Sequence, residues 1–144
     1  MIVLDTNVLS EALRPSPSDV VLHWLAAQEP MELFMTTITQ AEVLYGIAVL
    51  PAGKRRTRLS AAIERVLSDE FEGRILPFDE EPARTFARIV STREAMGRPI
   101  SQFDAMIAAI ARSRRAAVAT RNVHDFEHCE VRIINPWTSE AQRP

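Results

Sequence analysis

Short apolar runs alternate along this chain with segments of helical spacing. Ile2–Leu4 and residues 33–35, 75–78, 117–120 and 131–134 have the length and bounds of buried strands. Between them, Leu59, Ala62, Ile63, Val66 and Leu67 recur every three or four residues, which predicts an amphipathic helix near residues 55–69. Phe103, Met106, Ile107, Ile110 and Ala111 repeat that spacing. Residues 19–28 read as a helix capped by Ser18 or Asp19, and residues 39–50 as one ended by Pro51 and Gly53. Asp79 is placed to cap a further helix, with Pro82 in its first turn and Gly97 at its end.

Strands separated by helices imply a parallel sheet covered on both faces. Right-handed crossovers narrow this to a three-layer α/β/α sandwich with a mostly parallel central sheet. Ligand sites in such sheets lie beyond the carboxyl ends of the strands.

With 144 residues and no repeat or linker, the chain is expected to be a single domain over 1–144. Its 47% hydrophobic and 25% charged residues are those of a soluble globular protein. No apolar run approaches the roughly 18 residues of a membrane span. Asp5 interrupts the start too early for a secretory leader. Cys129 is the only cysteine, so no internal disulfide forms, and a reducing cytoplasm is the expected location. A net charge of −2 argues against a protein that coats nucleic acid, but not against one that grips it locally.

Three carboxylates stand in unexpected places. Asp5 follows the apolar run Ile2-Val3-Leu4, at the carboxyl end of the first strand. Glu42 is the only charge in residues 41–50, and Asp104 heads an uncharged run through Ala111. Helices this apolar are buried on most sides, where an ionised carboxylate is costly unless paired or metal-bound. Each acid also has a plainer reading. Thr39-x-x-Glu42 and Ser101-x-x-Asp104 fit capping boxes, and Asp5-Thr6-Asn7 fits turn chemistry. Taken together, three acids on separate elements of one α/β sheet would converge on one anionic pocket, whose natural occupant is a hard divalent cation. Asn122 or Asp125 can reach the same pocket from the loop after residue 120. The Thr120 hydroxyl can hold a carboxylate or a water, and the Asn7 amide can brace Asp5.

These segments carry a family resemblance. Asp5-Thr6-Asn7 resembles the opening motif of PIN-domain nucleases. Thr39-Gln40-Ala41-Glu42 through Gly46 resembles their second motif, and Phe103-Asp104-Ala105-Met106 through Ala109 their third. Ala119-Thr120-Arg121-Asn122 through Asp125-Phe126 resembles their fourth, and Ile134-Asn135-Pro136-Trp137 is similar to the ending of FitB-like VapC toxins. The resemblance implies an endoribonuclease dependent on Mg²⁺ or Mn²⁺, with Asp5, Glu42 and Asp104 as catalytic and metal-binding acids. The fourth position, often Asp in the family, is Asn122 here, and Asp125 is the alternative source of a fourth catalytic carboxylate. Such toxins resemble homodimers silenced by a small antitoxin, in a heterotetramer or larger assembly, with RNA as substrate and no membrane.

RNA would be guided by basic residues, with Arg14 and Arg121 the leading candidates because they adjoin the acidic motifs. Lys54-Arg55-Arg56 with Arg58, and Arg112, Arg114 and Arg115, are further candidates. A zinc site at His124, Asp125, His128 and Cys129 lacks a closed ligand set on a firm frame. Trp24, Phe86 and Trp137 read as core or interface anchors, since aromatics make up only 6% of the chain. A haloacid-type phosphatase would need Asp where Asn7 stands, a receiver domain would need a late lysine, and a dinucleotide fold would need a glycine-rich turn after the first strand. The remaining rival is a PIN-like module that binds RNA or a partner without cleaving.

Overall fold

The computed structural model describes residues 1–138. Five strands form one sheet: β1 (Ile2–Leu4), β2 (Leu33–Thr36), β3 (Ile75–Leu76), β4 (Ala117–Ala119) and β5 (Ile133–Ile134). Their order is β3-β2-β1-β4-β5, and every pairing is parallel. Among the described residues six α-helices pack around it: α1 (Thr6–Ala12), α2 (Asp19–Ala26), α3 (Thr37–Ala48), α4 (Lys54–Arg65), α5 (Glu80–Ala95) and α6 (Gln102–Ser113). The α/β sandwich expected from the alternating pattern is the fold observed. No helix among the described residues is long and apolar enough to cross a membrane.

Strand side chains alternate between faces, and the core divides accordingly. Ile2, Leu4, Leu33, Met35 and Ala119 point to one side, where Val8, Val21, Trp24, Val43, Ile47 and Ile63 cover them. Val3, Leu76 and Val118 point to the other, against Ile89 of α5 and the alanine-rich run of α6. Residues 105 and 107–111 are all at most 1% exposed, which explains the missing charge in that stretch.

Several boundaries differ from the sequence pattern, each for a local reason. Asp5 caps α1, a helix that the turn reading of Thr6 and Asn7 passed over; at seven residues it is too short for periodicity to show. Helix α3 starts at Thr37, because Thr36 is its N-cap and accepts the Thr39 N–H at 3.1 Å. Thr39 therefore forms no capping box with Glu42, which lies in the second turn. Ser101 does cap α6, accepting the Asp104 N–H at 3.2 Å. Ser18 and Asp79 occupy N-cap positions without a side-chain cap bond. The helix expected near 55–69 is α4 followed by a π-turn over Val66–Glu70. Gly97 follows α5 with φ +71, the left-handed geometry that closes a helix.

The connections leave β1 and β4 in opposite directions, β1 toward β2 and β4 toward β5. The crevice between the carboxyl ends of β1 and β4 is thus the topological switch point. Asp5 and Thr120 are the first residues past those two ends.

Candidate active site

Asp5 stays in register with the sheet, its N–H donating to the Ala119 carbonyl at 2.9 Å. Its carboxylate is fixed at both oxygens. Thr6 N–H donates to Oδ1 at 2.8 Å, and the Thr120 hydroxyl donates to Oδ2 at 2.8 Å. Only 4% of Asp5 is exposed, so its charge lacks water. Burial pushes its carboxyl up to about 6 against those two hydrogen bonds, with Asp104 and Glu42 adding repulsion.

Glu42 reaches the same place from α3. Thr6 Oγ1 lies 2.9 Å from Glu42 Oε1 and 3.2 Å from Thr39 Oγ1. A hydroxyl has one proton, and the carboxylate takes it, so the buried Thr39 hydroxyl donates to Thr6 in turn. Burial, and then Asp104, hold Glu42 above its ordinary value. Asp104, in the first turn of α6, is raised by burial and by Asp125; its hydrogen bond to Ser101 and the charge of Arg93 oppose this. Asp125 stands exposed on a 3-10 turn over Val123–Phe126. Asp104 raises both Asp5 and Glu42, Glu42 raises Asp5, and Asp125 raises Asp104, although the four acids come from four separate elements.

Asn7 does not brace Asp5 directly. Its amide donates to Thr120 Oγ1 at 3.3 Å, and its carbonyl oxygen accepts the Arg121 N–H at 3.3 Å. Thr120 is the hub, since it also accepts the Asn122 N–H at 3.0 Å. Asn122 enters this network by its backbone, while its exposed side chain caps nothing. Of the two residues considered for the fourth position, Asp125 is the one whose charge acts on Asp104.

A groove of about 600 Å³ leads away from Thr6 and Glu42 between α1, α3 and α4. Arg14, Arg55, Arg58 and Arg121 line it, with Trp137 beneath Arg121 at 5.4 Å from the ring centre. Arg112 and Arg115 sit instead at the opposite pole, in a cleft with Met1 and Arg132, and Arg112 pairs with Glu130 at 2.6 Å. The C-terminal end of α6 carries them away from the acids.

Two functional candidates escaped the sequence. Glu11, nearly covered in the groove, accepts from Arg14 at 3.1 Å and from the Ser18 N–H at 3.1 Å, and the Arg14 hydrogen bond leads in holding its carboxyl low. Its signal was an acid three residues before Arg14, visible only once α1 is known. Arg93 is a buried cation on α5 with no pattern to mark it.

The acids suit a hard cation, since each offers only oxygen donors. Among the described residues no group of three His, Cys, Asp or Glu side chains is drawn together closely enough to hold an ion alone. An open site of that kind fits Mg²⁺ or Mn²⁺, which keep several waters and share substrate phosphates. The His124–Cys129 stretch offers no zinc site: His124 points outward to Glu127, and Cys129 is buried with its thiol pushed up by burial.

A parallel α/β sheet with acids gathered at its switch point is the architecture of a PIN-domain protein. Residues 2–130 match the PIN domain family, and this chain belongs to it. It is 42% identical to VapC ribonuclease Y4jK of Sinorhizobium fredii, covering 95% of this chain and 98% of that one. It is 41% identical to Toxin FitB of Neisseria gonorrhoeae over 95% of this chain and 99% of that one. A structure of FitAB bound to an IR36 DNA fragment superposes with a TM-score of 0.91 at 40% identity, covering 96% of each chain. A DNA-bound VapBC from Salmonella typhimurium gives 0.79 at 26% identity, covering 94% of this chain and 97% of that one.

Proposed function

We propose that this chain is the ribonuclease toxin of a VapBC- or FitAB-type toxin–antitoxin pair, acting in the cytoplasm as a homodimer held silent by its antitoxin in a heterotetramer or larger complex. The observation that carries the catalytic reading is the acid cluster itself. Asp5, Glu42 and Asp104 repel one another at the sheet's carboxyl pole, Asp125 adds its charge to Asp104, and Asp5 is raised to about 6. Such an arrangement is costly without a cation to compensate it.

Asp5 and Asp104 would hold Mg²⁺ or Mn²⁺, with Glu42 and Asp125 completing or flanking the shell. The bound ion would acidify water and offset charge on the phosphate. Glu42, held by Thr6, orients the attacking water and accepts its proton. Water adds to phosphorus as the bond to the leaving oxygen breaks, and that oxygen takes a proton from solvent water to leave as a hydroxyl. Thr120 and Asn7 keep Asp5 in place, while Arg14 and Arg121 receive flanking phosphates.

The test is incubation of total RNA with antitoxin-free protein, with Mg²⁺ or Mn²⁺ and with EDTA, beside Asp5→Ala and Asp104→Asn. Discrete fragments should need both metal and each acid. Turnover retained by either folded variant would remove that residue from the site, and no cleavage by folded wild type would leave a binding module.

A further inference from the structure

Arg93 is 5% exposed, and among the described residues no carboxylate forms an ion pair with it. A buried guanidinium without an acid is expensive unless hydrogen bonds replace its water. Backbone carbonyls do so here. Nε donates to the Arg98 oxygen at 2.6 Å, and Nη1 donates to the oxygens of Asp125 at 3.1 Å and Glu127 at 2.7 Å, with Cys129 Sγ at 3.8 Å.

The segment it grips is also held by the buried Phe126 and Cys129 and by the pairs Arg98–Glu127 and Arg112–Glu130, but its backbone carbonyls join no sheet. Residues 122–130 contain one 3-10 turn and no strand. His128 and Glu130 adopt φ of +61 and +57, left-handed values that cost non-glycine residues energy. Phe126, 1% exposed, anchors the turn from within the core. Asp125 adjoins Phe126, and its own carbonyl is one of the two that Arg93 Nη1 holds through its two N–H bonds, while Nε holds that of Arg98.

We propose that Arg93 is a positioning residue of the acidic site: from α5 it clamps the backbone of residues 125–127, so that the turn carrying Asp125 stays packed against α6, the helix that carries Asp104. It touches neither metal nor RNA. This rests on the metal-dependent reading above, and on Asp125 serving that site.

A cycle of Arg93→Met, Asp125→Asn and the double variant tests it, with Arg93→Lys as a milder probe. Two readouts are taken at fixed pH: the Mn²⁺ concentration for half-maximal cleavage, and the rise in Tm of the metal-free protein on adding Mn²⁺. Loss of a residue that orients a ligand weakens metal use by about 10- to 100-fold. Arg93→Met should therefore raise the half-maximal Mn²⁺ about tenfold and shrink the Tm rise, and Arg93→Lys should fall between it and wild type. The double variant should be no worse than Asp125→Asn alone, because one change acts through the other. Effects that multiply, or a variant of lower Tm with unchanged Mn²⁺ dependence, would overturn the proposal and leave Arg93 a structural residue. If Arg93→Met does not fold, Arg93→Lys with and without Asp125→Asn decides by the same criteria. Wild type that gains Tm with Mn²⁺ yet cleaves nothing would defeat the nuclease reading alone, and the Tm cycle would still judge the clamp.

Discussion

Asp5 pairs chemical usefulness with a thermodynamic cost. Its carboxyl is near 3.8 ordinarily and about 6 in the fold, so the folded state prefers the proton. Its contribution to stability is complete below pH 3.8 and is lost as pH rises through about 6. The difference corresponds to at most ~3 kcal/mol. Metal-free Asp5→Asn should melt higher than wild type at pH 7.5, with the advantage vanishing near pH 4, while cleavage is abolished; equal Tm values at pH 7.5 would show the carboxylate to be compensated already. Cleavage by wild type should rise with pH through about 6, as the ionised form becomes available to a cation. Thr6→Val removes the hydroxyl that lowers Glu42, so the acidic limb of the rate profile should move to higher pH. Turnover should fall about tenfold for the lost hydrogen bond, and Thr6→Ser should restore it. Asp5, Glu42 and Asp104 were legible in the sequence because each interrupts an apolar run. Arg93 and Glu11 were not, because Arg93 is held by backbone groups and Glu11 lies on a helix too short to be read.

At the scale of elements, what matters is which hydroxyl makes a cap bond. Ser101 accepts the Asp104 N–H and so fixes the first turn of α6, from which an acid projects. Ser101→Ala should cost about 1 kcal/mol in urea unfolding, whereas Ser18→Ala, with no side-chain bond to lose, should cost under about 0.5 kcal/mol. The reverse order would mean that the caps are not as drawn. The sequence named both serines by residue type, but only geometry separates the one that bonds. The same limit applies to α3, where Thr36, Thr37 and Thr39 are all plausible caps and the choice depends on where β2 ends. Apart from α1, the order of strands and helices was readable, since burial on both faces of a parallel sheet leaves unbroken apolar runs.

Across the whole molecule, charge is sorted by pole. Acids gather beyond the carboxyl ends of β1 and β4, arginines line the groove leading there, and Arg112 and Arg115 face the opposite end. Arg58→Ala should weaken RNA binding at low salt and reduce the slope of log affinity against log salt by about 0.7, as for one phosphate contact on a single strand. Arg115→Ala should leave both unchanged, and an equal effect from the two would mean that RNA follows another path. The topology also sets an order in time. Strand β1 pairs with β2, some 30 residues later, and with β4, some 115 residues later. A ribosome therefore delivers Asp5 at the outset and Asp104, Thr120 and Asp125 only near the end. A chain ending before residue 104 lacks two of the four acids and the hydroxyl that aims Asp5, so it should cleave no RNA in the presence of Mn²⁺.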